Sequence, residues 1–248
     1  MIAPLDRRIA TAALVSVAFG LSACGGGSPN PPAPQPASVH RTTVSAAAFA
    51  CLRKPCLYVA NFYALSATIY QQTAKGNVAP LHTIAGSNTG LHGPYGIAVD
   101  ANHKAYIVNT NGGSQFTGSL TVYAAGANGN VAPMQTITGS NTGLAYPFCI
   151  ALDSSNDLYV TNYNGQSVTV YAAGANGNVA PIRTISGSNT GLNEPFGIAV
   201  RGTTMYVANE SNSTVTVYGA TANGNVSPIR TIGGSNTGLN GPTGIAIR

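Results

Sequence analysis

The sequence predicts an all-β fold, a β-propeller of four blades with four antiparallel strands each. The letters GSNTGL recur unchanged, starting at residues 86, 139, 187 and 234. Between these copies, short runs of β-branched and aromatic residues are bounded by Gly, Asn or Pro, which is typical of strands. Four such runs in about 48 residues match one propeller blade. A β-solenoid has much shorter rungs, and a β-sandwich does not repeat so faithfully.

Four strand motifs recur in a fixed order. The first carries Gly and small apolar residues, which suits the innermost strand, where blades crowd around the axis. The last carries Pro with His82, Arg183 or Arg230, which suits an outer edge strand, where Pro and charge discourage edge-to-edge pairing. In chain order within a blade the motifs are PYGIAVD (94–100), AYIVN (105–109), LTVY (120–123) and the segment ending near Ile137.

The strand count predicts how the ring closes. The second, third and fourth motifs each occur four times from residue 57 onward, and the first occurs four times up to residue 248. The C-terminal strand 244–248 is therefore expected beside the N-terminal strand 56–61, giving a closed four-blade monomer over 56–248. The alternative is a larger ring that is completed by a partner chain.

The combination of P-x-G-I-A-V-D, L-Y-V-x-N and T-V-Y resembles the NHL-type repeat and the related YVTN-type bacterial surface propellers. The resemblance covers roughly 56–248, about three quarters of the chain. It implies a β-propeller. It leaves function open, because NHL-like blades occur both in lactonase- and lyase-type enzymes and in binding proteins.

The N-terminus predicts export and a lipid anchor. Arg7 and Arg8 precede a mostly apolar run of about fifteen residues, which is the layout of a secretory signal. The letters LSAC at 21–24 resemble the lipobox of bacterial lipoproteins, which implies cleavage after a signal peptide of residues 1–23 and lipidation of Cys24. By the same resemblance, Gly25 favours the outer membrane. The Gly/Pro-rich stretch 24–40 is a tether, and 41–55 leads into the propeller.

Charge and cysteine content exclude some classes of partner and site. Only 17 of 248 residues are charged, and the basic ones form no stripe, so we expect no nucleic-acid partner. In an oxidising compartment Cys51 and Cys56 can form a disulfide across CLRKPC, or stay reduced. Cys149 stands where other copies have Gly and is expected to be a buried free thiol. Neither a metal nor a cofactor is predicted.

The constancy of GSNTGL has two interpretations. Its Asn and Gly residues suit a loop with one allowed shape that duplication has copied, with the leucine packed between blades. Alternatively, the four loops form a polar ring that binds a repetitive ligand such as a glycan.

Residues around this loop form the candidate binding face. Aromatic rings near His and Glu could stack on a sugar or a peptide, or pack between blades. A five-residue insertion between 109 and 123 lies on the same face and presents Phe116. The candidates are His92, Tyr95, Phe116, Tyr146, Phe148, Glu194, Phe196 and the strand-end residues Asn61, Asn109, Asn162 and Asn209. The four asparagines either cap the turn that follows each strand or contact a ligand.

These patterns favour a non-catalytic envelope lipoprotein whose propeller binds a protein or a glycan. The membrane contact is expected through the lipid anchor alone. The alternative is a lactonase- or lyase-like enzyme with a divalent metal at the mouth, where the loops of His92 and Glu194 would face each other. Enzymes of that kind use several acids and histidines around the axis. This chain offers only that pair, so the enzyme interpretation is disfavoured and no catalytic residue is assigned.

Overall fold

The computed structural model describes residues 55–110 and 118–247. The predicted signal peptide, the tether and nearly all of the lead-in lie outside the described residues, as do Cys24, Cys51 and Phe116. Arg248, the last residue of the predicted closing strand, also lies outside them.

Fifteen β-strands lie within the described residues, all from the predicted motifs. They are β1 (Cys56–Asn61), β2 (Ser66–Gln71), β3 (His82–Ala85), β4 (Pro94–Val99), β5 (Ala105–Asn109), β6 (Ser119–Tyr123), β7 (Gln135–Ile137), β8 (Pro147–Leu152), β9 (Leu158–Asn162), β10 (Ser167–Tyr171), β11 (Arg183–Ser186), β12 (Pro195–Arg201), β13 (Thr204–Asn209), β14 (Thr214–Gly219) and β15 (Arg230–Ile232). A 3-10 turn spans Ser235–Thr237.

The strands form four antiparallel sheets, each a simple meander. Blade 1 is β1-β2-β3, blade 2 is β4-β5-β6-β7, blade 3 is β8-β9-β10-β11 and blade 4 is β12-β13-β14-β15. The first strands of blades 2, 3 and 4 contact one another, as expected for inner strands around an axis. The predicted order of the motifs from the axis outward is therefore confirmed, and the fold is a β-propeller.

Glycine in the inner strands is required by the crowding at the axis. A Cβ atom on Gly96 would lie 2.5 Å from the carbonyl oxygen of Phe148 in the next inner strand. A Cβ on Gly197 would lie 2.6 Å from the carbonyl oxygen of Thr243. The C-terminal segment 242–247 therefore lies beside β12 at the position where an inner strand of a following blade would lie.

In the described part of the chain, the core consists of three apolar clusters, one at each boundary between successive blades. The leucine that ends GSNTGL is buried at each boundary, as predicted: Leu91, Leu144 and Leu192 are 4%, 5% and 7% exposed. His82 is on an outermost strand as expected, but its side chain is buried, because β3 packs against blade 2. Burial of these faces is the main stabilising term of the fold.

Within the described residues, no β-ladder closes the ring. Blade 1 has three strands, and the segment 242–247 is not paired in a β-ladder. No ladder between this segment and β1 is found in that part of the chain, so the predicted closing strand stays a prediction.

Within the described ranges, no helix has the length and apolar character needed to cross a bilayer.

Candidate functional site: an aromatic cleft at the mouth

The residue before the first proline of each inner strand takes a left-handed backbone conformation. Blade 2 and the C-terminal segment have Gly93 and Gly241 there, at φ 61° and 57°. Blades 3 and 4 instead place Tyr146 and Glu194 there, at φ 54° and 50°. A side chain in this region costs about 1–2 kcal/mol. Two large side chains are thus held at the mouth in a conformation that favours glycine.

The second residue of each inner strand directs an aromatic ring toward the axis. The rings of Phe148 and Phe196 are stacked, with centroids 4.4 Å apart and planes 10° apart. The ring of Tyr95 meets both edge-on, at 4.7 Å and 5.5 Å. Edge-to-face and stacked pairs at these distances stabilise an aromatic cluster. The structure therefore brings together the three aromatic candidates that follow the prolines.

Two further rings from blade 1 extend this cluster into an open cleft. Phe62 contacts Tyr95 edge-on at 6.0 Å, and Tyr63 contacts Phe62 at 5.1 Å. The cleft has a volume of about 520 Å³. Its walls are Ala60, Phe62, Tyr63, Pro94, Tyr95, Tyr146 and Phe148. Tyr63 is 96% exposed and Tyr95 is 42% exposed, so ring surface is available to a ligand.

A polar rim lies on the far side of the aromatic cluster. The hydroxyl of Tyr163 donates a hydrogen bond to Glu194 Oε2 at 2.8 Å, and its ring packs on Phe148 at 5.1 Å. The bond to Glu194, together with burial and the charge of Glu210, raises the pKa of Tyr163 to about 12. Tyr163 is therefore a neutral donor at physiological pH and orients the carboxylate of Glu194.

The strand-end asparagines support the loops of this face. Asn109 Oδ1 accepts the backbone N–H of His92 at 3.2 Å, and its Nδ2 donates to Thr121 Oγ1 at 3.1 Å. Asn162 and Asn209 make the equivalent bonds in their blades. All three side chains are buried, so they hold the loops and are not presented to a ligand. Asn61 is half-buried and bonds Ser66 and Thr68.

The structure gives His92 and Glu194 different neighbours. His92 is exposed and lines a separate cavity of about 240 Å³ beside Leu65, Gly86 and Leu91. Glu194 is engaged with Tyr163. Among the residues the structure describes, no group of three or more His, Cys, Asp or Glu side chains is placed to hold a metal ion.

The two cysteines within the described residues differ in state. Cys149 is a free thiol, as expected, but its side chain is half-buried and not fully buried; burial raises its pKa. Cys56 is disulfide-bonded, while Cys51 lies outside the described residues. The Cys51–Cys56 pairing therefore stays a prediction.

The first three GSNTGL loops are each held by the blade that follows them. In blade 2, Asn130 Oδ1 accepts the backbone N–H of Asn88 at 2.7 Å, and the hydroxyl of Tyr123 donates to the carbonyl of Thr89 at 2.5 Å. Both bonds recur at the next two boundaries. The loop shape thus serves contact between blades, which favours the interpretation of GSNTGL as a loop with one working shape.

Sequence reasoning missed Phe62, Tyr63 and Tyr163. These residues follow the strand-end asparagine, and comparison of the four copies there could have found them: Phe62-Tyr63, Thr110-Asn111, Tyr163-Asn164 and Glu210-Ser211. The residue types at these two positions differ among the four copies, while the asparagine before them is the same in all four. This difference is the sequence signal that could have identified Phe62, Tyr63 and Tyr163.

Solved structures share this fold. No protein-family model matches the chain, and no curated protein matches its sequence. The matches include a streptogramin B lyase (16% identity, 67% of this chain and 49% of that chain, TM-score 0.49). A functionally unknown protein from Desulfotomaculum acetoxidans matches at 14% identity over 78% of this chain and 56% of that chain, with a TM-score of 0.53. A chain of a nidogen/laminin complex matches at 12% identity over 74% of this chain and 61% of that chain, also with a TM-score of 0.53.

At these identities, the likeness to the two chains with a TM-score of 0.53 supports the β-propeller fold and establishes no activity. The chain spans about half the length of the first two solved chains.

Proposed function

We propose that this propeller is a non-catalytic binding module of the bacterial cell envelope, and that its aromatic cleft binds a glycan or a protein segment. The observation that carries the proposal is the open cleft between blades 1, 2 and 3. There, aromatic rings from three blades converge while Tyr63 and Tyr95 stay exposed. Ligand clefts of about 300–1,000 Å³ with aromatic walls and a few polar groups are typical of small-molecule sites.

The chemistry of the walls favours a glycan as the ligand. Sugars present flat C–H faces that stack on aromatic rings, and hydroxyls that pair with groups such as the phenols of Tyr63 and Tyr95. Across the cluster, the carboxylate of Glu194 accepts a hydrogen bond from Tyr163 and offers further acceptor sites. Apolar faces flanked by such acceptors match a carbohydrate.

The backbone at the mouth supports a role beyond folding. Tyr146 and Glu194 occupy positions where two other copies have glycine, and both adopt positive φ. Strained conformations of this kind persist at functional sites. Glycine would satisfy the loop equally well, and this supports a role for the two side chains at the mouth.

The anchor is part of the same proposal. The lipobox-like LSAC and the Gly/Pro-rich tether would hold the propeller at the outer membrane, through lipid on Cys24. Palmitate labelling of producing cells tests it: label should enter the wild-type chain and be lost in Cys24→Ser. Equal labelling of both would contradict the anchor.

Glycan-array screening of the exported chain, followed by calorimetry on the best ligand, tests the cleft. Tyr63→Ala should weaken binding roughly 2- to 12-fold, corresponding to about 0.5–1.5 kcal/mol for one aromatic contact. Because Tyr63 is almost fully exposed, the variant should fold normally.

Two controls make this test specific. Tyr63→Phe keeps the ring and should retain most of the affinity if stacking dominates. Ile182→Ala removes an apolar side chain that is 48% exposed on the outer side of blade 3, and should bind as wild type. Binding that is unchanged in a Tyr63→Ala/Tyr95→Ala double variant would exclude the cleft as the ligand site.

A further inference from the structure

The three boundaries between successive blades are built from one repeated set of contacts. The preceding blade contributes a trailing half, which consists of its fourth-strand isoleucine and its GSNTGL loop. The following blade contributes a leading half, which consists of its third-strand tyrosine and an Asn-Gly-Asn loop. These loops are 128–130, 176–178 and 223–225.

At the first boundary each contact type is visible. Asn128 Oδ1 accepts the N–H of Thr83 at 2.9 Å, and Gly129 bridges to Ile84 in a short parallel pairing. Asn130 fills the space over Gly86, where a Cβ atom would lie 2.5 Å from its side chain. The same contacts recur at the other two boundaries. A leading half and a trailing half are therefore complementary surfaces.

Blade 1 presents a leading half that no described residue covers. Leu57 is 52% exposed, although the residues at its position in the other blades, Ala105, Leu158 and Met205, are at most 3% exposed. Tyr70 is half-buried, whereas the equivalent tyrosines of the other blades are 0–1% exposed. Gly76 and Asn77, which match the last two positions of the Asn-Gly-Asn loop, are exposed.

Blade 4 presents the matching trailing half, which is also uncovered. Ile232 is 52% exposed, whereas Ile84, Ile137 and Ile185 are 0–1% exposed. Asn236 and Thr237 are exposed. A Cβ atom on Gly234 would meet nothing within 4 Å, although the equivalent glycines of blades 1, 2 and 3 are each covered by an asparagine of the next blade.

We propose that two copies of this chain associate head to tail, with the leading half of each copy on the trailing half of the other. A two-fold axis relates the two contacts, so the assembly closes and leaves no end uncovered. Two chains of four blades give eight blades, which lies within the range of known propellers. The segment 242–247 of one copy then lies beside β1 of the other and supplies the inner strand that blade 1 lacks.

A second copy fits these surfaces better than the same chain does. Within residues 55–110 and 118–247, no strand pairing joins blade 1 to β15 or to 242–247. Both halves of one chain are exposed at the same time. Lys75 departs from the repeat by replacing the first asparagine of the loop, so the acceptor for the N–H of Thr231 is missing. The residues that would make the other contacts, Gly76, Asn77 and Tyr70, are present.

Native mass spectrometry of the exported chain, released from detergent, measures the assembly directly. The unprocessed chain has a mass of 25.0 kDa, and we expect a species of two processed chains. Ile232→Asp places a charge on the trailing half and should shift the population to single chains. A wild-type chain that is a single copy would overturn the proposal, and so would an open series of larger assemblies, because the proposed contacts close at two copies.

A cross-linking experiment separates contact between chains from closure within one chain. Chains carrying Asn77→Cys and chains carrying Asn236→Cys, both on a Cys149→Ser background, are co-expressed and treated with a short bis-maleimide. Only contact between copies can link the two single variants, and we expect a band of two chains on a denaturing gel. Pairing Asn77→Cys with Asn141→Cys, a position that Asn178 already covers, is the control and should give no band.

The outcomes are distinct. A band in the mixture of single variants supports the two-copy ring. No band in the mixture, with intramolecular linkage in a chain that carries both Asn77→Cys and Asn236→Cys, shows a ring closed within one chain and overturns the proposal.

Discussion

Asn178, in the loop that precedes the outer strand of blade 3, accepts a hydrogen bond from the backbone N–H of Asn141, in the GSNTGL loop of blade 2, at 2.8 Å. The two residues are 37 positions apart and lie in loops of different blades. The same side chain lies over Gly139, where a Cβ atom would lie 2.4 Å from Asn178 Oδ1. Two recurring sequence features, GSNTGL and Asn-Gly-Asn, are thus two sides of one contact.

Asn178→Ala should destabilise the propeller by about 0.5–1.5 kcal/mol, because it removes one hydrogen bond and uncovers Gly139. Urea unfolding followed by circular dichroism measures the change in the free energy of unfolding. Asn178→Asp keeps an oxygen acceptor and should lie closer to wild type. An Asn178→Ala variant as stable as wild type would show that the recurring bond contributes nothing measurable.

Alkaline pH should weaken the fold through the buried tyrosines at the blade boundaries. Burial raises the pKa of Tyr123 and Tyr171 to about 12, from a usual value of 10.0. In this window the folded state binds more protons than the unfolded state, so the stability is complete below pH 10 and falls as pH rises from about 10 through 12. The free energy of unfolding at a series of pH values measures this loss.

Tyr171→Phe is the control for that pH profile. It removes one titrating phenol and also the bond that Tyr171 donates to the carbonyl of Thr142 at 2.6 Å. The variant should be less stable at neutral pH, by about 1–3 kcal/mol for the carbonyl left unpaired, yet lose less stability between about pH 10 and 12. An unchanged alkaline slope would mean that Tyr171 does not titrate with the fold.

The sequence was sufficient for the blades and for part of the mouth. Each strand motif is a local pattern, its fourfold repetition predicts the blades, and the Gly and small apolar residues of the first motif predict that this strand is innermost. The position after each proline placed Tyr95, Phe148 and Phe196 together, because inner strands converge on the axis. These features depend only on order along the chain and on the symmetry of the repeat.

Other features could not be predicted, because they depend on how one blade is rotated against the next. The bond from Tyr123 to the carbonyl of Thr89 joins residues 34 positions apart, one in β6 of blade 2 and the other in the GSNTGL loop that follows blade 1. Asn109, Asn162 and Asn209 were candidates for ligand contact because they end strands at the binding face. Their complete burial arises from packing beneath the loops, which no local pattern encodes.

Substitutions at Tyr146 can separate folding from binding. Tyr146→Ala removes the ring but keeps a Cβ atom at φ 54°, whereas Tyr146→Gly removes both the ring and the backbone strain. Tyr146→Gly should therefore be more stable than Tyr146→Ala, by about 1 kcal/mol, while both lose the contact with Phe148 and bind the cleft ligand more weakly. Urea unfolding and calorimetry on the same samples measure the two effects. Two outcomes would contradict the idea that the strained backbone is maintained for binding. In one, Tyr146→Ala is more stable than Tyr146→Gly. In the other, the more stable of the two variants also binds the ligand more tightly.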